Sequence, residues 1–592
     1  MKPSPSGIAP TVSTAPTASI GRYKIALLGS PVRIDIPWTD GNVRKLQSLG
    51  FNTLQLNIAW GARPADEPLN LEDVVDVPAG RESGFAQPVP LRSDRSPERF
   101  HARREALRHR IRICQSTGMR SIFHFGAPYN AHQRYGDAPP NCLSDERTTT
   151  RYVKLIELFA RQFPGVDDLL LYTYDQDAWL CDEFGPCPRC AGIPLHERVV
   201  PFVNRLAEAW RRAQPAGRLW WEPWELSAGQ SLKCIDLLDP VRTGLALHSN
   251  IAEVMATQPV DRWLKLARRR AQERGIPVIV EHFLGGATEE VEPFRHLTWP
   301  HALLRSLRAI SALSPDGLKE YFGCDPTIED PNLRLTGLFL AYPHLDDRRL
   351  LEKLAEPWQD AAGSMLEFWR LASEAMELFP WHTSWYIRKI GRCRVDHNMK
   401  AAFIRGQQAH TPAWESSRRS VFMKADNTQP DAWMLEDVQL QCQLSAERLA
   451  DALALGRDIL AKNRIPSGLE QDFRKTVGDW DEFRRRALSY VYHIRETNLV
   501  AVMRRQRQAG HAIPVRVIDE LVATLKADRE NQRSHEPCDR ALGLLADDMD
   551  AFLSGYFLVP DADETAPSAA PGTKEEDLRA WESKGAFSMT SR

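Results

Sequence analysis

One pattern recurs eight times between residues 24 and 323: a short apolar run, a polar or aromatic ending, and then an amphipathic helical stretch. The first halves of most runs are continuously apolar, which is typical of parallel strands buried on both faces. Several helical stretches end in glycine, the usual residue just after a helix C-terminus. Strand and helix repeated eight times predict an α/β fold, a closed (β/α)8 TIM barrel over residues 21–329, with a doubly wound open sheet as the alternative. The eight runs are 24–31, 53–60, 120–128, 168–177, 218–226, 243–250, 277–286 and 317–323.

The strand pattern stops after residue 329, and helical periodicity replaces it. A chain of 592 residues is too long for one core, so a second domain is expected. We therefore predict a mainly α-helical C-terminal domain over residues 330–560. The polar, proline-bearing segments 1–20 and 561–592 are predicted to be disordered tails.

The charge balance argues against two classes of partner. The chain carries 76 Lys and Arg against 78 Asp and Glu, a net charge of −2, so no electrostatic attraction to nucleic acid or to an anionic membrane is expected. The sequence contains no run of about 18 apolar residues that would predict a transmembrane helix. The N-terminus lacks the apolar core of a secretory signal, which favours a cytoplasmic location.

Chemistry in a TIM barrel is carried by the residues that end its strands, because the C-terminal strand ends meet at one mouth. Here those ends combine carboxylates, aromatic rings, imidazoles and amides. Sugar sites need this mixture, since carboxylates supply acid and base, aromatic rings stack on C–H faces, and amides and imidazoles bind hydroxyl groups. We expect the substrate-binding residues to be Arg33, Asn57, Trp60, His124, Tyr129, Trp179, Trp224, His248, Asn250, Glu320 and Tyr321.

Acidic residues at the ends of strands 4, 5 and 7 are the candidate catalytic groups. Asp175 and Asp177 are two residues apart, so both side chains of an extended strand would point the same way, and their repulsion would raise one pKa. Glu281 ends a run of branched apolar residues, where an unpaired charge would be costly. Glu222 and Glu225 flank a Pro-Trp pair, and one of them is expected to line the site.

Each of these acids also has a structural interpretation. One strand-4 aspartate could cap the following loop, and Glu281 could pair with a barrel arginine such as Arg33. Glu320 could be a solvated charge at the domain interface. The 17 tryptophans are often core residues, but Trp60, Trp179, Trp221 and Trp224 are candidate platforms for sugar rings.

The segment YTYDQDAWLCDEFGPCPRCAG (172–192) resembles a strand-4 motif of barrel enzymes related to the alpha-glucuronidases and beta-N-acetylhexosaminidases, including uncharacterised bacterial relatives. The segment LKEYFGCDPTIEDPN with the following helices is similar to the barrel-to-helix junction of that group. The resemblance covers about residues 24–390. It implies that Asp177 is the general acid with Asp175 beside it, and that Glu281 is the base or nucleophile. The order Asp-Gln-Asp departs from the Asp-Glu pair of the hexosaminidases, and therefore argues against their acetamide-assisted mechanism.

Three cysteines follow the strand-4 acids with the spacing C-x5-C-x2-C: Cys181, Cys187 and Cys190. C-x-x-C is a spacing that zinc favours, so a structural zinc site is one interpretation, with His196, Cys142 or Cys234 as the fourth ligand. Packed reduced thiols or a disulfide are the alternatives. No catalytic metal motif is present in the sequence, and no cofactor is expected to be required for catalysis.

Together these features predict a glycoside hydrolase that acts on an oligosaccharide or glycoside. A non-catalytic carbohydrate-binding relative is the second hypothesis, because Asp-Gln-Asp replaces the expected acidic pair. A sugar-acid lyase or isomerase is the third, and would need a divalent metal. The helical domain is expected either to complete the site or to form a homodimer.

Overall fold

The structure is a computed structural model of the full chain. It describes residues 19–30, 33–58, 64–77, 96–130, 141–174, 178, 180–181, 183–185, 187–223, 226–249, 260, 262–288, 291, 294–381, 432–462 and 465–555. Nearly all of both predicted tails lies outside these ranges.

Eight parallel strands close into a barrel in which each strand pairs with its neighbours in sequence and β8 pairs with β1. The predicted TIM barrel is therefore confirmed, and the open-sheet alternative is wrong. All eight strands fall inside or at the edge of the apolar runs that predicted them. Their bounds are β1 Tyr23–Leu27, β2 Thr53–Gln55, β3 Arg120–Gly126, β4 Asp168–Tyr172, β5 Leu219–Glu222, β6 Thr243–His248, β7 Val278–His282 and β8 Gly317–Glu320.

Helices between the strands cover the outside of the barrel. Many begin where the sequence supplies a capping side chain: Ser96 accepts the Arg99 N–H, and Ser227 and Gln230 form a reciprocal capping box. The helix before β3 ends at Gly118, which adopts the left-handed conformation that glycine tolerates best. The helices are α1 Asp40–Ser48, α2 Leu71–Val74, α3 Pro97–Thr117, α4 Glu146–Gln162, α5 Leu195–Ala213, α6 Ala228–Ile235, α7 Arg262–Glu273 and α8 Pro300–Ser311.

The described residues after β8 are mainly helical, as predicted. The elements are α9 Pro331–Ala341, α10 Asp347–Ala355, a 3-10 helix Glu356–Ala361, α11 Ala362–Leu378, α12 Ala432–Ala461, α13 Ser467–Gln508, α14 Val515–Asn531, α15 Glu536–Asp547 and α16 Met549–Gly555. One continuous apolar core runs from the barrel through α11 and α12 as far as Ile494 on α13. A second, smaller core lies between the end of α13 and α14–α16.

Two aspartates of α13 bind backbone groups of loops that leave the barrel. Asp479 accepts the N–H groups of Arg295 and His296 at 3.0 and 2.9 Å, and Asp472 accepts that of Glu329 at 2.9 Å. The helical region thus fixes the loops that follow β7 and β8. Among the described residues, no helix combines the length and the apolar character needed to cross a bilayer.

Candidate active site

The inner face of the barrel changes from apolar to polar along the strands. Its lower layer is a closed apolar cluster. Side chains two residues apart on a strand share a face, so the next inward position on each strand lies one layer closer to the mouth. The lower layer consists of Tyr23, Ile25, Ile122, Leu170, Trp220, Ala246 and Ile279.

The layer above it is almost entirely polar or charged. One of its members comes from each of β2 to β8, and all are buried or nearly so. We call this set the polar layer. Its members are Gln55, His124, Tyr172, Glu222, His248, Glu281 and Lys319.

Glu222 on β5 is held by two imidazoles. Its carboxylate lies 2.9 Å from His124 Nε2 and 3.7 Å from His248 Nε2. Burial alone would raise the pKa of Glu222, but the charge and hydrogen bond of His124, the hydrogen bond of His248 and the charge of Lys319 outweigh it. These contacts hold the pKa of Glu222 well below its usual range and favour its ionised form, while burial lowers the pKa of His124 and so disfavours the imidazolium beside it.

The pKa of Glu281 on β7 is shifted in the opposite direction. Its carboxylate lies 3.4 Å from His248 Nε2 and 3.4 Å from the Lys319 ammonium. Burial, followed by the negative charge of Glu222, raises the pKa of Glu281 to about 7, although Lys319 acts in the other direction. Two neighbouring carboxyl groups with separated pKa values are typical of acid–base sites.

His124 is positioned by the strands on both sides of it. Gln55 Nε2 lies 3.4 Å from His124 Nδ1, and the Tyr172 ring meets the imidazole edge-on at 5.1 Å between centroids. Tyr172 fits there because residue 126 is glycine: a Cβ on Gly126 would lie 2.4 Å from the tyrosine ring. Asn57 exchanges hydrogen bonds of 2.7 and 2.9 Å with the His124 backbone, so this predicted sugar ligand instead joins β3 to the loop after β2.

Neither a protein-family model nor a curated protein matches this sequence. Solved structures do match. A GH138 enzyme that targets pectin rhamnogalacturonan II is 12% identical with a TM-score of 0.55, and the alignment covers 87% of this chain and 62% of that enzyme. This chain therefore spans less than two thirds of the enzyme's length. The likeness shows that the fold of this chain is also the fold of a glycoside hydrolase.

Two further solved structures align with lower TM-scores. A mutant O-GlcNAc hydrolase of Thermobaculum terrenum is 10% identical with a TM-score of 0.38 and covers 91% of this chain and 94% of its own. The structure of CpGH84D is 12% identical with a TM-score of 0.37, over 87% of this chain and 70% of its own.

Glu320, an expected substrate ligand, points away from the polar layer. It follows Lys319 on β8, so its side chain lies on the outer face of the barrel. There it accepts the backbone N–H groups of Leu284, Phe322 and Gly323 at 2.6–2.9 Å. Burial raises the pKa of Glu320 to about 7 even though these donors favour its ionised form. Its position fits a structural role, but it is not the solvated charge of the alternative interpretation.

Three further expected substrate ligands differ in the contacts that they make. Arg33 forms ion pairs with Asp35, at 3.0 Å, and with Asp325, so it is not the partner of Glu281. Tyr129 is buried, and its backbone N–H donates to the Tyr152 hydroxyl at 2.6 Å. Tyr321 packs edge-on against His248 at 4.7 Å between centroids, which places it beside the polar layer.

Seven of the predicted site residues lie outside the described part of the chain. Of the tryptophans expected to act as sugar platforms, Trp221 is the one in the described part of the chain. It faces the outer core rather than the mouth and donates to the Thr173 hydroxyl at 3.2 Å. Its expected role as a sugar platform does not fit this position. The seven residues are Trp60, Asp175, Asp177, Trp179, Trp224, Glu225 and Asn250.

Sequence reasoning missed Gln55, Tyr172 and Lys319. Lys319 is the most important omission, because it supplies the ammonium group beside Glu281. Alternation along β8 identifies it only once the register is known: Leu318 lies in the outer core, so its neighbour Lys319 faces inward.

Three groups of side chains in the described part of the chain have the composition of a metal site, and one of them, His493, Glu496 and Asp528, lies away from the barrel mouth on α13 and α14. One ligand atom from each of Glu222, His248 and Glu281 lies within 4.8 Å of the others. The sulfur atoms of Cys142, Cys181, Cys187 and Cys190 are equally close together. Cys142, one of three suggested fourth ligands, thus joins the other cysteines.

Proposed function

We propose that this protein is a glycoside hydrolase whose reaction takes place above the polar layer of the barrel. The observation that carries the proposal is the pair Glu222–Glu281, two buried carboxyl groups of opposite pKa shift held by His124, His248 and Lys319. Burying this many ionisable groups is costly, and such clusters are concentrated at functional sites.

We assign Glu281 as the base or nucleophile and Asp177 as the general acid, with Asp175 beside the acid. Asp177 follows β4 by five positions in the sequence, and parallel strands all deliver their following residues to the same mouth. The acid would protonate the glycosidic oxygen, while Glu281 would activate water or attack the anomeric carbon. His248, in contact with both glutamates, orients the Glu281 carboxylate.

Glu222 has a different role in this proposal. Since its pKa is low, it keeps a negative charge that disfavours ionisation of Glu281. The Lys319 ammonium favours that ionisation, so the two neighbours set the pH at which Glu281 becomes active. Glu225 and the tryptophans Trp60, Trp179 and Trp224 remain candidates for substrate contacts, and the substrate class is an oligosaccharide or glycoside.

A metal-dependent lyase or isomerase is a second candidate, favoured by the closeness of Glu222, His248 and Glu281. However, the Lys319 ammonium already lies 3.4 Å from Glu281 and supplies positive charge that a divalent ion would otherwise provide. Hydrolysis that survives exhaustive chelation would reject this candidate.

The test is a screen of aryl glycosides and natural oligosaccharides against the wild type and the variants Glu281→Gln and Asp177→Asn. Glutamine resembles the protonated form of Glu281, so the first variant should fold while losing hydrolysis by about 10²-fold or more. Glu320→Gln is the matched control, because it removes an equally buried carboxyl from the outer face of the barrel. Full activity in Glu281→Gln would reject its assignment. Binding of a sugar without turnover by the wild type would favour the non-catalytic alternative.

A further inference from the structure

Four cysteines from two separate loops meet beside the barrel mouth. Cys142 lies between β3 and α4, whereas Cys181, Cys187 and Cys190 lie between β4 and α5. The Cys142 sulfur is 3.2 Å from that of Cys190 and 3.8 Å from those of Cys181 and Cys187. All four sulfur atoms lie within 4.8 Å of one another.

This arrangement does not fit disulfide chemistry. A disulfide joins two sulfur atoms at about 2.0 Å and leaves each with one partner. Here one sulfur, that of Cys142, contacts three others, and all four cysteines are free. In a tetrahedral zinc site with bonds of about 2.3 Å, neighbouring sulfur atoms are about 3.8 Å apart. Two of the three Cys142 distances have this value.

The cysteines also do not act as ordinary core residues. Cys142, Cys187 and Cys190 form a small buried cluster of their own, and Cys181 packs against it. Within the described residues, this set is separate from the large core of the barrel and helices. Hydrophobic packing therefore does not explain why four thiols point at one another.

The surroundings suit a cluster of thiolates. The Cys190 and Ala191 N–H groups both donate to the Cys187 carbonyl at 3.1 Å, forming the tight turn of a C-x-x-C knuckle. The Ser144 hydroxyl lies 3.3 Å from the Cys190 sulfur. The Arg198 guanidinium donates to the Cys181 carbonyl at 2.9 Å, which places a positive charge beside the cluster.

We propose that Cys142, Cys181, Cys187 and Cys190 bind one structural zinc ion. Four protein ligands close the coordination sphere and leave no position for a water molecule or substrate, so the ion would not take part in catalysis. It would join the loop after β3 to the loop after β4. Asp177 precedes Cys181 by four residues and can therefore be at most about 14 Å from it. The ion would thus anchor the segment that carries the proposed acid.

The test is metal analysis of the full chain, purified under reducing conditions and dialysed against metal-free buffer. We expect about one zinc ion per chain in the wild type and loss of nearly all of it in Cys142→Ala. Cys234→Ala is the matched control, since Cys234 is a buried free cysteine on α6 in the large apolar core, and this variant should keep its zinc. None of these readouts depends on hydrolysis, so the proposal can fail or stand independently of the proposed function.

A second measurement uses the wild type alone and is needed if Cys142→Ala does not fold. Exchange with Co²⁺ should produce thiolate-to-cobalt charge-transfer absorption together with the visible bands of a tetrahedral site. A wild type that holds no zinc and gives no such bands would overturn the proposal, whether its four cysteines titrate as free thiols or are found in disulfides. Zinc retained in full by a folded Cys142→Ala variant would overturn it as well.

Discussion

Lys319 on β8 stands opposite Glu281 on β7 in the register of the barrel, and its ammonium lies 3.4 Å from the Glu281 carboxylate. Both side chains are fully buried. In such surroundings the ammonium is the main influence that favours the ionised form of Glu281 against burial and against Glu222. The activity proposed for Glu281 should therefore depend on Lys319 in a way that pH can reveal.

Replacing Lys319 by methionine should raise the pKa of Glu281 above its value of about 7, because an opposite charge at this distance is removed. A base or nucleophile must be ionised, so the rise of kcat/KM with pH should move to higher pH by about one unit or more. The measurement is a pH–rate profile of both proteins. Lys24→Met, on the outer face of β1, is the control and should leave the profile in place. If kcat/KM of the wild type instead decreases as pH rises through about 7, Glu281 has the role of the acid.

Glu320→Gln should lower the free energy of unfolding in a pH-dependent way. The amide can accept the N–H groups of Phe322 and Gly323 but would turn an N–H toward that of Leu284, which costs about 1–3 kcal/mol. In the wild type the raised pKa stabilises the folded state fully below about pH 4.5, and this contribution is lost as pH rises through about 7.

The free energy of unfolding of the wild type should therefore exceed that of Glu320→Gln by less at pH 8 than at pH 5. We expect this difference to decrease by at most about 3 kcal/mol. Denaturant titrations at several pH values measure this difference. The comparison with the variant is essential because buried histidines act in the opposite direction: burial lowers the pKa of His282 to about 3. A difference that stays constant or widens with pH would contradict the assignment.

Gly126→Ala should disturb the polar layer through Tyr172. The added Cβ would lie 2.4 Å from the tyrosine ring, so the ring must move away from His124. We expect a loss of stability of about 1–3 kcal/mol and a lower kcat. Gly229→Ala is the control, because its Cβ meets nothing within 4 Å on α6 and should change stability by less than about 1 kcal/mol. Equal effects of the two substitutions would show that Tyr172 is not the cause.

Asp479→Ala should weaken the attachment of the helical region to the barrel. The Arg295 and His296 N–H groups would lose their acceptor, at a cost of about 1–3 kcal/mol, and should exchange faster with deuterium. Asp481→Ala provides the comparison on the same helix, since its ion pair with Arg457 is exposed and contributes at most about 1 kcal/mol. Unchanged exchange at residues 294–296 in Asp479→Ala would disprove the role of this contact.

The sequence was sufficient for the barrel because each strand carries its own local signal, an apolar run bounded by helical segments. It also pointed to His124, His248, Glu222 and Glu281 near the C-terminal ends of their strands, where the structure brings them together, while their roles stay predictions. The sequence alone could not show which of Lys319 and Glu320 faces the inside of the barrel. A shift of one position on β8 exchanges the inner and outer faces, and only pairing with β7 fixes that register.

The cysteine cluster illustrates a second limit. Three of its members are close in sequence, whereas Cys142 comes from a different loop about 40 residues earlier. Sequence spacing left three choices for the fourth ligand. The choice depends on how two loops approach each other above neighbouring strands, and this is a property of the assembled barrel.

α13 contributes side chains to both apolar cores, and it is synthesised after all eight strands of the barrel. Its 42 residues span about 63 Å, with the part up to Ile494, about two thirds of the helix, packed into the barrel core and the remainder supporting the smaller one. On a ribosome, the eight strands emerge long before this helix does. Part of the apolar surface of the barrel therefore stays uncovered until α13 has been synthesised, and exposed apolar surface of this kind makes a nascent chain prone to aggregation.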